Sequence, residues 1–285
     1  MQCCQDLDFN LSSVLFMVGL LFLWQQTRTP YNYGKHLDAR SSLVAVLVPA
    51  RRGWFLQELP SFLVPALLVL HSPQPGSPGC KLLCCLFCTH YFHRYSYLII
   101  SGTKIKAEMR LRIMFKVFLS WGDIWTFIYA ALTKGRPTPL YIVILAVIFC
   151  TFNGFLQGHC MVYGTEYPDT WFTDIRFTSG ILLFFTGMGI NIHSDHMLRK
   201  LRKPGELTYK IPQGGLFNYV SGANFLGEIV EWFGYAIATW TMPAFSFAFF
   251  TLCSIGPRAY HHHRYYLRMF ADYPKSRKAL IPFIF

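Results

Sequence analysis

Of 285 residues, 53% are hydrophobic and 14% charged, far from a soluble domain, in which about a quarter of residues carry charge. The formal net charge of +12 would suit nucleic acid, but Lys and Arg gather in loops between apolar segments, which is how a membrane protein sets its orientation. No extended polar stretch leaves room for a separate soluble unit, so residues 1–285 are read as one membrane-embedded domain with no nucleic-acid partner.

Seven apolar segments, at 8–24, 54–71, 81–100, 140–160, 177–195, 214–238 and 240–260, reach or approach the length that crosses a roughly 30 Å hydrocarbon layer. The expected fold is all-α. Ahead of the first span stand Asp6 and Asp8 instead of a basic region, and no small-residue cleavage site follows Trp24. That segment is therefore expected to stay as a helix rather than be removed as a signal peptide. Asn10-Leu11-Ser12 is a glycosylation sequon set too close to the membrane for use. The loop after span one is basic, with Lys35, Arg40, Arg51 and Arg52. Span two holds Gln57 and Glu58 between Phe55 and Pro60, and span three ends in His90, Tyr91, His93 and Arg94. Cysteines 80, 84, 85, 88, 150, 160 and 253 lie in or beside apolar stretches without the loop spacing of a disulfide framework, so free thiols are expected.

Residues 95–125 carry Lys104, Lys106, Arg110, Arg112 and Lys116. We read them as a cytosolic excursion with an interfacial amphipathic helix around 113–132, because an additional crossing would invert every later loop. In span four, Gly154 and Gly158 have the spacing that lets membrane helices approach closely. An acidic loop with Glu166, Asp169 and Asp174 follows. Gly187-Met188-Gly189 in span five begins like a dinucleotide fingerprint, but residue 192 is Ile and no βαβ unit surrounds it. Asn191, Asp195, Arg199 and Arg202 recur at helical spacing at the end of that span. Span six holds Asn218, Asn224, Glu228 and Glu231, the last three on one helix face. His261, His262 and His263 follow span seven; adjacent helical positions point about 100° apart, so they cannot all face one ion, and no metal is expected. Basic loops after spans one, three and five, with a basic tail after seven, place the N-terminus outside and the C-terminus in the cytosol.

An ionisable side chain in hydrocarbon costs about 2.5 kcal/mol or more. A single Asn or His is as readily explained by a hydrogen bond between helices, but Glu58 and Glu228 both lie in apolar runs. A shared cavity with a proton pathway or a polar ligand explains the set better.

Several stretches occur together: 54–60 (WFLQELP), 90–94 (HYFHR), 187–195 (GMGINIHSD), 201–206 (LRKPGE), 212–228 (PQGGLFNYVSGANFLGE) and the ending 261–285. The set resembles the steroid 5α-reductase family, over 1–94 and 126–285. The resemblance implies a seven-helix endoplasmic reticulum membrane enzyme, its helices enclosing a cavity in which NADPH reduces the Δ4 double bond of a 3-oxo steroid. The N-terminus would be lumenal and 126–285 would form the NADPH-binding part. By the family pattern Glu58 and Tyr91 contact the steroid C3 carbonyl, with Trp54, Gln57 and Arg94 beside the substrate. Asn191, Asp195, Arg202, Tyr209, Lys210, Asn224, Glu228, Trp232, His262, Tyr266 and Arg136 would hold the cofactor. Donors aimed at the carbonyl oxygen suit hydride addition at C5, which drives negative charge onto that oxygen. Arginines suit phosphate through bidentate bonding. The steroid would enter from lipid, and no obligatory protein partner is implied.

Three features depart from the pattern: 95–125 has no counterpart, Ser254 stands where relatives carry an aromatic, and Pro257 is expected to bend or break the last helix. Alternatives are a reductase of another enone-like lipid (polyprenol or enoyl-thioester), a membrane methyltransferase, and a non-enzymatic seven-span protein.

Overall fold

The computed structural model describes residues 2–29, 46–72, 76–102, 137–201 and 208–285, with the side chains of Arg51 and of 92–102 excepted. The described residues form seven long helices: α1 (Gln2–Arg28), α2 (Ala50–His71), α3 (Pro78–Gly102), α4 (Leu140–His159), α5 (Ile175–Lys200), α6 (Ala223–Thr239) and α7 (Met242–Met269). Two short strands, β1 (Leu47–Val48) and β2 (Thr138–Pro139), pair antiparallel and tie the start of α2 to the start of α4. Four stretches are long and apolar enough to cross a membrane, Gln2–Arg28, Arg52–His71, Leu140–Gly164 and Ile175–Lys200. The chain is thus a helical membrane protein.

Hydrogen bonds at the helix ends show that the helices alternate in direction. At one end, Asp8 near the start of α1 meets His159 at the end of α4, and the Tyr167 hydroxyl donates to the Thr239 carbonyl at the end of α6. At the other, His261 of α7 donates from Nε2 to the Gln26 carbonyl near the end of α1. The Leu140 amide donates to Val46 at the mouth of α2 there. At the first end Asp174 caps α5, accepting from the Arg176 backbone N–H at 2.8 Å and from its guanidinium. That guanidinium holds the Asp174 carboxyl down at about 2.

Glycine sets the closest packing. Along α5 and α6, Gly180 faces Ala238, Gly187 faces Glu231, Gly227 faces Asn191 and Gly234 faces Phe184. A Cβ at any of the four would lie 2.2–2.5 Å from a backbone nitrogen of the other helix. The two backbones therefore touch, as small residues in membrane helices allow. Gly154 and Gly158 play the same part against Pro60 and Pro65 of α2, the packing expected from their spacing. Between these pairs sits an aromatic core in which Trp232 contacts Phe87, Phe184, Tyr235 and Phe247.

Several expectations are corrected. The segment 214–238 is not one helix: Gly214 and Gly215 have positive φ of 92° and 50°, a turn holds Gly215–Asn218, and α6 begins only at Ala223. Asn218 therefore caps that turn, its Oδ1 accepting from the Gly214 N–H at 2.8 Å, instead of lining a span. Pro257 lies inside α7 without breaking it; bonds from His261 to Gln26 and from His263 to Ser221 anchor the helix beyond the proline. In the sequon Asn10 is exposed, while Ser12 is wholly buried and bonded to the Asp8 carbonyl. All nine cysteines are free, as expected. The first residues of 95–125 continue α3 to Gly102; the rest of that segment and the interfacial helix expected at 113–132 lie outside the described residues.

Candidate active site

Trp54, Gln57 and Glu58 follow one another at i, i+3 and i+4 on α2, which puts them on one face. Gln57 and Glu58 are buried at 8% and 7% exposure, and α2 packs against both α3 and α4. On α3 the Tyr91 ring is buried and lies 6.0 Å from the Trp232 ring of α6, with planes 32° apart. The predicted carbonyl donor and a predicted cofactor residue therefore meet in one aromatic cluster.

The two polar stripes also meet. Asn191 of α5, buried, donates from Nδ2 to the Asn224 carbonyl of α6 at 3.0 Å, because Gly227 admits the α5 backbone beside it. One turn on from each, Asp195 and Glu228 are half-buried. Toward the same end His262 packs on Phe225 at 5.3 Å, and buried Tyr266 stacks on Tyr273 at 5.3 Å with planes 5° apart. Tyr209 meets Tyr265 edge-on at 5.8 Å, beside an exposed Lys210. Arg94 lies on α3 with its side chain not described, while Arg136 and Arg202 fall outside the described residues. A groove of about 510 Å³ runs along α5, lined by Phe185, Ile190, His193, Ser194 and Leu216 among others. It includes none of the predicted site residues and is not the chamber expected from the sequence.

The three histidines diverge as helical geometry requires: His261 to Gln26, His262 to Phe225 and His263 to Ser221. Ser221 Oγ joins His263 Nδ1 at 2.7 Å and the Tyr273 hydroxyl at 2.6 Å, and the Ser221 amide donates to Lys278. This knot holds the C-terminal segment against Tyr266, on which Tyr273 stacks. Burial, then the charges of Arg264 and Lys278, push the His263 imidazole below its usual value.

Sequence reasoning marked His90 and Glu231 as polar groups in apolar spans but gave neither a place in the site. They are paired: His90 Nδ1 lies 2.5 Å from Glu231 Oε1, with side chains 4% and 0% exposed. The signal was the cost of burying each; their partnership across 141 positions has no sequence signature.

Among proteins of known family, residues 136–285 match the family described as 3-oxo-5-alpha-steroid 4-dehydrogenase. The chain is 52% identical over 286 residues to 3-oxo-5-alpha-steroid 4-dehydrogenase 2 of Homo sapiens, covering 100% of this chain and 99% of that protein. It is 55% identical over 276 residues to the protein of that name from Mus musculus, covering 96% and 95%. To 3-oxo-5-alpha-steroid 4-dehydrogenase 1 of Homo sapiens it is 42% identical over 272 residues, covering 94% and 92%.

Proposed function

The chain belongs to the 3-oxo-5-alpha-steroid 4-dehydrogenase family, and from that premise we propose that it is a membrane-embedded oxidoreductase reducing the Δ4 double bond of 3-oxo steroids with NADPH. Family membership makes it an oxidoreductase with a nicotinamide cofactor and sets aside the methyltransferase and non-enzymatic readings. The observation that carries the mechanism is the contact of Tyr91 with Trp232 in a buried aromatic cluster.

The residues fit the cofactor chemically. A ligand with an amide, ribose hydroxyls and phosphates needs polar groups near an apolar slot and cations toward water. The chain grades in that order from buried Trp232 and Asn191, through half-buried Asp195, Glu228 and His262, to exposed Lys210. Asn191, Asp195, Tyr209, Lys210, Asn224, Glu228, Trp232, His262 and Tyr266 would hold it, with Arg136 and Arg202 on the phosphates. When bound it supplies a hydride to C5 of the steroid.

Tyr91 and a protonated Glu58 then donate hydrogen bonds to the C3 oxygen, where negative charge develops. Trp54, Gln57 and Arg94 line the steroid, and the enolate left by hydride addition takes a proton from solvent at C4. The support for the remaining picture is the alternation of the basic loops and of the helix directions. It comprises seven crossings around one cavity, a single domain with 126–285 as its cofactor part, a lumenal N-terminus and cytosolic C-terminus in the endoplasmic reticulum, and steroid entry from lipid.

Microsomes carrying the chain should oxidise NADPH only when a Δ4-3-oxo steroid is supplied, with appearance of the 5α-reduced product. Glu58→Leu, which has no hydrogen-bond donor, should lower kcat by about 100-fold or more, the loss of one carbonyl donor, at unchanged protein level. Steroid-independent oxidation, or full activity in Glu58→Leu, would overturn the reading.

A further inference from the structure

We propose that the buried pair His90–Glu231 is a positioning device for the reaction, setting the bearing of Tyr91 against Trp232. This rests on the reduction proposed above and assigns two residues a part in it. His90 and Tyr91 are neighbours on α3; Glu231 and Trp232 are neighbours on α6. The pair at 2.5 Å therefore joins the two turns that carry the predicted carbonyl donor and a predicted cofactor residue.

The surroundings decide what the bond does. The His90 ring lies 4.5 Å from Trp232 and 5.0 Å, edge-on, from Tyr91, while Phe87 one turn earlier touches both Tyr91 and Trp232. Ring packing of this kind is attractive but weakly directional, and permits rings to slide. A short hydrogen bond between two buried side chains is directional, so it fixes the rotation of α3 about its axis. Because Tyr91 leaves the same turn, its hydroxyl is aimed by that rotation. Glu231 is itself immobilised, since its backbone nitrogen lies where a Cβ on Gly187 would be, 2.2 Å away. The restraint thus runs from the α5–α6 seam through Glu231 and His90 to Tyr91.

A bond that merely held α3 to α6 would be replaceable by apolar packing, since exchanging both members of a buried ion pair for hydrophobic groups is often neutral or stabilising. A positioning bond would not be replaceable. The test measures steroid kcat and KM per folded enzyme, with folded protein counted by size exclusion and thermal unfolding in detergent, for four proteins: wild type, His90→Phe, His90→Asn, and His90→Phe with Glu231→Leu.

We expect the double variant to fold with kcat down about 100-fold, the penalty for about 1 Å of misplacement, and steroid KM within about threefold. His90→Asn, whose amide nitrogen can stand where Nδ1 stands, should recover most of that loss, whereas His90→Phe should not. A folded double variant with wild-type kcat, or a loss confined to KM, would overturn the proposal. If the double variant does not fold, equal kcat in His90→Asn and His90→Phe overturns it and a difference upholds it. Absence of steroid-dependent turnover in the wild type would instead strike the reduction on which it rests.

Discussion

Among the described residues, two carboxylate–histidine pairs that cross between helices, Glu231–His90 and Asp8–His159, occupy different parts of the bundle. Glu231–His90 lies among Trp232, Tyr91 and Phe87, with side chains 0% and 4% exposed. Asp8–His159 joins α1 to α4 at 2.8 Å near the helix ends, with side chains 6% and 12% exposed, beside Gly164 and the Cys160–Thr165 contact. The chemistry is the same and the surroundings are not. A pair walled in by rings has no water to replace a lost partner; one at a helix end is closer to rescue by solvent.

The backbone seam that seats Glu231 is the severest place to test this difference. Gly187→Leu would drive a side chain into the α6 backbone, which cannot rotate aside as a side chain would. We expect well over about 3 kcal/mol of destabilisation and no folded protein by size exclusion. Wild-type-like accumulation would show that the seam yields and that Glu231 is not held by it.

The pairs themselves come next. His90→Leu leaves Glu231 buried without its histidine and should cost about 3–5 kcal/mol. Asp8→Ala should cost about 1–3 kcal/mol. Thermal unfolding in detergent gives the order, and kcat per folded enzyme the sharper contrast, because Asp8→Ala should leave it within twofold. Equal losses of stability and activity in the two variants would erase the distinction drawn here.

The least expected effect is a pH limb beyond the predicted end of span seven. His263 is held neutral by burial and by Arg264 and Lys278. As pH falls through about 6.5, the unfolded chain takes up a proton that the folded chain refuses, so stability declines toward acid and is full above that pH. His263→Gln should remove the decline between about pH 7 and pH 5; an unchanged slope would assign it to other groups.

Much of this was legible in the sequence, and the omissions have physical causes. Hydrophobic run length located seven helices, and the alternation of basic loops agrees with helix directions fixed by Asp8–His159 and Gln26–His261. The Gly154/Gly158 spacing predicted close packing on α2, and the i, i+3, i+4 spacing of Asn224, Glu228 and Glu231 placed them on one face. The beginning of α6 was misread because 214–222 is apolar enough to continue a helix, while the glycines at 214 and 215 turn the chain instead. Of the bend or break expected at Pro257 the helix shows no break, its local cost being outweighed by bonds made by His261 and His263 to distant residues. The partnership of His90 with Glu231 was hidden for the same reason: a sequence shows that a buried acid needs a partner, but not which one.

The contact of α5 and α6 along four glycines has a mechanical consequence. Two helices whose main chains touch cannot shear or part without opening a void along their whole length, so they behave as a single beam. If a flat lipid-soluble ligand is to slip in sideways, the gap has to open elsewhere, as where the rings of Phe16 on α1, Phe149 on α4 and Phe249 and Phe250 on α7 interleave and can be re-seated.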